Sequence, residues 1–179
     1  MPLQSPTVRA SRRPRRRGPA ALALSALLLV AACSGNGSPS AGQALPATDL
    51  ETLDSGTPTS FDAYRGKPLV VNLWASWCTP CRTEMPAFEQ VHQQVGDRVT
   101  IVGLTDDPNR DAAREAAAAT RVTYPLLVDT GGRFQSDLGI VGLPSTVFVD
   151  TSGKVLATHS GVLDETSLLE EIGRLYGQS

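Results

Sequence analysis

Two cysteines separated by two residues lie where a predicted strand gives way to a predicted helix. The apolar run Val70–Ala75 indicates a buried central strand, and an amphipathic helical pattern extends from Arg82 to about Val95. Between these elements lie Cys78 and Cys81, with Cys78 at the start of the helix. Pro80 falls in the first turn, where its missing N–H removes no hydrogen bond and its fixed φ favours the turn. The junction therefore places both thiols at the N-terminus of a helix that follows a buried strand.

This position suits thiol–disulfide exchange. Cysteines three positions apart in a first helical turn share a face and can approach within disulfide distance. The unpaired N–H groups and the dipole of a helix N-terminus favour anions. We therefore expect the Cys78 thiol to be more acidic than a free cysteine, whose pKa is about 8.5. Cys78 would attack a substrate disulfide as a thiolate, and Cys81 would then resolve the mixed disulfide.

A structural disulfide and half of a metal site are two other uses of this cysteine pair. A disulfide that closes a four-residue loop would constrain the unfolded chain little. A metal site lacks further ligands, because there is no second cysteine pair and His92 and His159 are isolated. We interpret both histidines as surface residues. The sequence also contains no HExxH motif, no EF-hand loop and no Gly-rich phosphate-binding loop, so we expect no metal and no cofactor.

The charges divide the chain into a basic leader and an acidic remainder. Residues 1–32 contain six arginines and no acidic residue, which leaves 10 basic and 18 acidic residues in positions 33–179. The formal charge of −2 for the whole chain therefore conceals a formal charge of −8 in the remainder. An acidic body argues against non-specific binding to nucleic acid, which needs a basic face.

The leader has the features of a bacterial lipoprotein signal peptide. Its apolar run Ala20–Ala32 would span about 20 Å as a helix, which is short of the ~30 Å hydrocarbon core of a bilayer. The run ends in Val30-Ala31-Ala32-Cys33, which is similar to the lipobox, where the cysteine is lipidated and becomes the new N-terminus.

These features predict three segments. We expect a signal peptide over residues 1–32, a flexible tether over residues 33–46 that starts at a lipidated Cys33, and a folded domain over residues 47–179. Ordinary secretion and a transmembrane anchor are the alternatives. The export route stays open, because Arg12-Arg13 is not followed by the apolar residues usual in twin-arginine signals.

The segment Asn72–Pro86, with the sequence NLWASWCTPCRTEMP, closely resembles the active-site segment of TlpA/ResA-like proteins of the thioredoxin fold. The likeness covers roughly residues 47–179. It implies an α/β thioredoxin-like fold, with a central mixed sheet flanked by helices and a TlpA-type insertion between residues 106 and 129.

Downstream, Gly142-Leu143-Pro144-Ser145-Thr146 is similar to the loop with a cis proline that faces the cysteines in this family. The resemblance implies that the Leu143 backbone, beside Pro144, pairs with an extended substrate segment. Taken alone, Pro144 could also be a trans proline before an edge strand. We expect Trp77 to cover the thiols and to contribute to substrate binding, and Trp74 to pack in the core.

Two residues near the cysteines bear on proton transfer. Asn72 stands where thioredoxin has a buried aspartate, and an amide cannot accept a proton at neutral pH. Glu84 matches an acid of ResA-like members and lies three residues after Cys81, where it could move protons while the mixed disulfide is resolved. The alternative is a solvated glutamate that is favoured only by the helix dipole.

The remaining pattern predicts two further buried strands, two helices, a short helical turn and a hairpin. In chain order, these are a strand over Arg98–Leu104, a helix over Asp106–Thr120, a strand over Tyr124–Asp129, a turn over Arg133–Leu138, a hairpin of Val147–Asp150 and Lys154–His159, and a helix over Asp164–Tyr176.

Together these features predict an extracytoplasmic, membrane-tethered thiol–disulfide oxidoreductase. The resemblance favours a reductant of protein disulfides, with apocytochrome c among its candidate substrates and a CcdA/DsbD-like membrane protein as electron donor. An oxidant that forms disulfides in exported proteins would use the same residues. A thiol peroxidase would need a PxxxTxxC setting, which Asn72–Cys78 lacks. A non-catalytic binding lipoprotein would tolerate the loss of Cys78.

Overall fold

The structure is a computed structural model that describes residues 41–177. The predicted signal peptide, the predicted lipidation site Cys33 and the first part of the predicted tether lie outside the described residues. Within residues 41–177, none of the helices combines the length and the apolar character needed to span a bilayer.

The described chain contains seven strands, four α-helices and one 3-10 helix. In order they are β1 Leu50–Thr52, β2 Pro58–Thr59, the 3-10 helix Phe61–Tyr64, β3 Leu69–Leu73, α1 Thr79–Val95, β4 Thr100–Thr105, α2 Arg110–Thr120, β5 Leu126–Asp129, α3 Phe134–Asp137, β6 Ser145–Val149, β7 Val155–Ser160 and α4 Glu165–Tyr176.

All seven strands form one mixed sheet in the order β2-β1-β5-β4-β3-β6-β7. The central strands β3, β4 and β5 are parallel, whereas β6, β7, β1 and β2 join antiparallel. Every residue of β3 is buried, as expected for a strand covered on both faces. The prediction of an α/β thioredoxin-like fold with a mixed sheet is therefore confirmed.

The side chains of β3 alternate between two apolar layers. Val70 packs with residues of α1 and α4 on one face, among them Phe88 and Leu168. Val71 packs on the opposite face with residues of the α3 region such as Phe134. Because β3 lies at the centre of the sheet and runs directly into the cysteine segment, both layers fix the position of that segment.

One predicted boundary and three short elements differ from the prediction. The helix expected from Asp106 begins at Arg110, because Asn109 caps it by accepting a hydrogen bond of 3.0 Å from the Ala112 N–H. The short strands β1 and β2 and the 3-10 helix were not predicted. β1 carries little periodicity of its own, and it is held by backbone pairing with β2 and β5.

Part of the predicted flexible tether is attached to the sheet. The N–H of Gly42 donates to the Val155 carbonyl at 2.8 Å, and the N–H of Val155 donates to the Gln43 carbonyl at 2.8 Å. The N–H of Leu45 donates to the Gly153 carbonyl at 2.9 Å. Residues 42–45 are therefore ordered by backbone hydrogen bonds to the start of β7, which corrects the expectation for this part of the segment.

The two histidines are half-buried, so each is only partly exposed at the surface. The His92 ring packs edge-on against Tyr124, with ring centroids 6.0 Å apart. His159 lies in β7 opposite Thr146 of β6.

Candidate active site

Cys78 and Cys81 form a disulfide bond at the N-terminus of α1, with their Cα atoms 5.3 Å apart. Cys78 is the N-cap residue, and its sulfur accepts a hydrogen bond of 3.3 Å from the Cys81 N–H. A turn in which the Cys78 N–H donates to the Ala75 carbonyl carries the chain from β3 into the helix. Cys78 retains 4% of its surface exposed and Cys81 none, so only Cys78 is open to an approaching group.

The two tryptophans have different environments. Trp74 is buried, as predicted, in the apolar cluster that also contains both cysteines. Trp77 is 69% exposed, so most of its ring faces solvent. The cysteines are buried in that cluster, which includes Met85 and Leu53.

The loop before β6 lies beside the disulfide. The peptide bond between Leu143 and Pro144 is cis, so the trans alternative is wrong. Leu143 packs against the cluster that contains the cysteines. The Pro144 carbonyl accepts a hydrogen bond of 2.9 Å from the Gly161 N–H, which joins this loop to the segment after β7.

Glu84 is buried beneath the disulfide segment, with 2% of its surface exposed, so the alternative of a solvated glutamate is wrong. Its Oε1 accepts a hydrogen bond of 2.8 Å from Asn72 Nδ2, and its Oε2 accepts one of 3.0 Å from the Leu163 N–H. Burial disfavours the charged form and raises the pKa of Glu84 to about 7, although both hydrogen bonds act in the opposite direction. The group therefore titrates near neutral pH.

A sequence model of the family described as Redoxin matches residues 40–172, most of the chain. The chain belongs to the Redoxin family. Among curated relatives, this redoxin is 36% identical to the thiol:disulfide interchange protein HelX of Rhodobacter capsulatus, over 75% of this chain and 76% of HelX. It is 30% identical to the thioredoxin-like protein YneN of Bacillus subtilis, over 73% of this chain and 78% of YneN.

Solved structures of thiol–disulfide interchange proteins share the fold of this chain. The structure of MTB dsbF in its mixed oxidized and reduced forms is 29% identical to this redoxin, covers 73% of this chain and 95% of its own, and superposes with a TM-score of 0.64. The DsbE-like protein from Chlorobium tepidum, at 23% identity and a TM-score of 0.68, covers 76% of this chain and 96% of its own and agrees in fold. This redoxin is an enzyme of the thiol–disulfide oxidoreductase class.

The structure gives Asn72 a role that its sequence position did not suggest. The amide cannot act as a base, but it donates to Glu84 and so positions the buried acid of α1. The sequence shows that Asn72 and Glu84 are 12 residues apart, on a strand and on the helix that follows it. It does not show that Glu84 is buried.

Asp107 of this redoxin was missed by sequence reasoning. Its Oδ2 accepts from the N–H and the hydroxyl of Ser76, at 2.9 Å and 2.5 Å, and its Oδ1 accepts from the Asn109 N–H at 2.9 Å. Burial acts to raise the pKa of Asp107, but these hydrogen bonds outweigh it and lower the pKa below its ordinary value. An acid directly after a buried strand, at the sheet edge that carries the cysteines, was the signal that could have identified it.

Three large apolar side chains are exposed on segments next to the cysteines or the cis-proline loop. Within residues 41–177, the large apolar side chains that are exposed are Trp77, Val141 and Val162. Trp77 precedes Cys78, Val141 lies in the cis-proline loop, and Val162 follows the Gly161 that is bonded to that loop. Within the same range, no group of three histidine, cysteine or acidic residues could hold a metal ion.

Proposed function

We propose that this redoxin reduces disulfide bonds in other proteins, with Cys78 as the attacking thiol and Cys81 as the resolving thiol. The single observation that carries this proposal is the Cys78–Cys81 disulfide at a helix N-terminus, where only Cys78 is exposed. In the reduced enzyme, the helix N-terminus and the Cys81 N–H would stabilise a Cys78 thiolate.

The proposed reaction has two exchange steps. The Cys78 thiolate attacks one sulfur of the substrate disulfide, a mixed disulfide forms, and the leaving thiolate takes up a proton. Cys81 then loses its proton and attacks the Cys78 sulfur, which releases the second substrate thiolate to be protonated in turn. The substrate gains two electrons and two protons, and the enzyme ends as the disulfide seen in the structure.

Glu84 is proposed to accept the Cys81 proton in the second step. It lies one helical turn after Cys81 in α1, and its pKa of about 7 suits a group that must gain and lose a proton near neutral pH. Burial makes the charged carboxylate a better base than a solvated glutamate would be.

The substrate is proposed to bind as an extended segment along the cis-proline loop. The Leu143 backbone would pair with it beside Pro144, a mode that tolerates many sequences. The exposed side chains of Trp77, Val141 and Val162 suit an unfolded or partly apolar polypeptide rather than a small polar thiol.

The cellular setting belongs to the same proposal. The basic leader and the Val30–Cys33 sequence support export and a lipid anchor on Cys33. The relatives named thiol:disulfide interchange proteins support protein thiols as partners. We propose apocytochrome c as a candidate substrate and a CcdA/DsbD-like membrane protein as the electron donor.

The assignment of the two cysteines is tested by trapping. A Cys81→Ser variant should accumulate mixed disulfides through Cys78, because the resolving thiol is gone. Cys78→Ser is the matched control and should neither trap a substrate nor reduce insulin. Insulin reduction that persists in Cys78→Ser would overturn the assignment.

The direction of electron flow is tested by the reduction potential. Thioredoxin-fold proteins range from about −270 mV for reductants to about −120 mV for strong oxidants. Equilibration with a thiol redox buffer should place the Cys78–Cys81 couple near the reducing end. A value near the oxidising end would instead favour a disulfide-forming oxidase that uses the same residues.

A further inference from the structure

Five buried side-chain nitrogen or oxygen atoms have no hydrogen-bond partner within residues 41–177. They are Asn72 Oδ1, Trp74 Nε1, His92 Nδ1, Tyr124 Oη and Thr146 Oγ1. His92 is half-buried and its Nδ1 lies beside Gly96 at the end of α1, whereas the other four residues are at most 2% exposed. An unpaired buried polar group loses its hydration without compensation, and native proteins rarely leave several of them together.

The strand register and the packing over Gly103 make neighbours of the four nearly fully buried residues. Asn72 of β3 lies directly opposite Gly103 of β4 on one side and Thr146 of β6 on the other. Residues paired in this way project to the same face of a sheet. A Cβ atom at Gly103 would lie 2.6 Å from Leu126 Cδ2, 3.1 Å from Trp74 Nε1 and 3.3 Å from Tyr124 Cε2, so a leucine methyl, the indole nitrogen and the phenol ring all cover this glycine. We call Asn72, Trp74, Tyr124 and Thr146 the polar chamber.

The chemistry of the polar chamber matches that of water. Trp74 Nε1 can only donate and Asn72 Oδ1 can only accept, whereas the two hydroxyls can do either. A water molecule needs two to four such partners, and buried waters typically make about three hydrogen bonds. We propose that the polar chamber binds internal water, and that this water acts through Asn72 to position the hydrogen bond on Glu84.

The link from the chamber to Glu84 is the amide of Asn72. Its Oδ1 faces the chamber without a partner, and its Nδ2 donates to Glu84 Oε1 at 2.8 Å. A water that donates to Oδ1 polarises the amide and strengthens the Nδ2 donor, because linked hydrogen bonds reinforce one another. The chamber would therefore favour the charged form of Glu84. Asn72, Tyr124 and Thr146 are positioning residues in this proposal, which rests on the proposed role of Glu84.

The titratable side chains around Glu84 and the chamber are Tyr124, Glu89 and His92, whose ring packs against Tyr124. Asn72 and the Leu163 N–H are neutral donors, and both cysteines are locked in the disulfide. Burial, together with the negative charges of Glu84 and Glu89, raises the pKa of Tyr124 above its ordinary value. Tyr124 therefore stays neutral while Glu84 titrates in the oxidised protein.

The first experiment detects the water directly. The sequence has two tryptophans, so the indole N–H signals can be assigned with a Trp77→Phe variant. In rotating-frame NMR of the oxidised protein, the Trp74 indole proton should show a cross-relaxation peak to water, opposite in sign to the diagonal. The exposed Trp77 indole should show an exchange peak of the same sign as the diagonal. Absence of the Trp74 cross-relaxation peak would overturn the proposal.

The second experiment follows the Glu84 carboxyl by carbon NMR as pH is varied, with the protein kept oxidised. Tyr124→Phe and Thr146→Val each remove one chamber hydroxyl, so the Glu84 midpoint should move to higher pH. Tyr64→Phe is the matched control, because it removes a phenol hydroxyl outside the chamber, and it should leave the midpoint unchanged. An unchanged midpoint in both chamber variants, or an equal shift in the control, overturns the proposal. Neither experiment measures disulfide exchange, so a failure of the proposed function would be seen separately.

Discussion

Asn72 Nδ2 and Glu84 Oε1 are joined by a buried hydrogen bond of 2.8 Å. The second oxygen of the carboxylate accepts from the Leu163 N–H at 3.0 Å, so three separate segments meet at one acid. Burial of the acid outweighs both donors and raises the pKa of Glu84 to about 7 from its ordinary value of 4.5. The acid beneath the disulfide can therefore change its charge within the physiological range of pH.

This raised pKa predicts a specific dependence of stability on pH. Between pH 4.5 and about pH 7, the folded protein binds more protons at Glu84 than the unfolded chain does. The free energy of unfolding should therefore fall as pH rises through this range, by roughly 3 kcal/mol from this one group. Glu84→Gln does not titrate, so the difference in unfolding free energy between variant and wild type should increase over the same range in urea titrations. A constant difference from pH 4.5 to 7 would contradict the raised pKa.

Replacing Asn72 with aspartate should couple two acids. Asn72→Asp removes the amide donor and places a second carboxyl within hydrogen-bond distance of Glu84, where both cannot be ionised at once. The pair should share a proton, and the variant should lose about 2–4 kcal/mol of unfolding free energy at pH 8 while losing much less at pH 5. Asn72→Ser, which removes the donor without adding a charge, is the control and should show a clearly smaller pH dependence, from the loss of the Nδ2 hydrogen bond alone.

The parts of the fold that were predictable are those whose residues carry their own periodicity. The strand Val70–Ala75 and the helix ending at Val95 were predicted from local sequence patterns. β3 is a mostly apolar run, and the apolar residues of α1 recur on one face of the helix. β1 consists of only Leu50–Thr52, and its position comes from pairing with β5, about 76 residues later in the chain. No local pattern specifies such a contact.

The candidate site also combines features that local sequence predicts with features that depend on distant contacts. The cysteines and Pro144 were identifiable from short motifs, because each motif carries its own backbone geometry. The burial of Glu84 depends on Leu163, which is 79 residues away, and the contact of Asp107 with Ser76 spans 31 residues. These contacts follow from the way strands and loops meet at one edge of the sheet, which spacing along the chain does not reveal.

Asp107 should stabilise the segment that leads to Cys78. Asp107→Asn places an amide NH₂ against donors from Ser76 or Asn109, so the unfolding free energy at pH 7 should fall by about 1–3 kcal/mol. The pKa of Asp107 is lowered in the folded protein, so its contribution is present above the ordinary value of 3.8 and is lost as pH falls below it. Below pH 4, the unfolding free energy of the variant should therefore fall less steeply with decreasing pH than that of the wild type.

Asp106→Asn is the matched control for this prediction. Asp106 is the preceding residue, but its side chain is exposed and accepts a hydrogen bond of 3.0 Å from the half-buried Gln135. Its replacement should change the unfolding free energy by less than about 0.5 kcal/mol. Equal effects of the two substitutions in denaturant titrations would rule out a specific role for Asp107.

Trp77 should matter for large substrates and not for stability. Because most of the ring is exposed, Trp77→Ala should leave the unfolding free energy within about 0.5 kcal/mol of wild type. Reduction of an unfolded protein disulfide should slow by about tenfold, since a lost aromatic contact at an interface is worth about 1–2 kcal/mol. Reduction of a small disulfide should be unaffected by Trp77→Ala. Trp77→Phe should keep most of the wild-type rate of reduction of the protein disulfide. An equal loss for both substrates would place Trp77 in the chemistry of the cysteines instead.

Gly103 should be needed for stability, because the side chains that cover it leave too little room for a Cβ atom. A Cβ at this position would lie 2.6 Å from Leu126 Cδ2, 3.1 Å from Trp74 Nε1 and 3.3 Å from Tyr124 Cε2. The leucine methyl can rotate away, but the two rings are buried and packed, so Gly103→Ala should cost about 1–3 kcal/mol of unfolding free energy. Gly142→Ala is the control, because a Cβ there meets no atom within 4 Å and its φ lies outside the left-handed region. Thermal unfolding of the two variants measures the difference, and a Gly103→Ala protein as stable as Gly142→Ala would show that the rings can move aside.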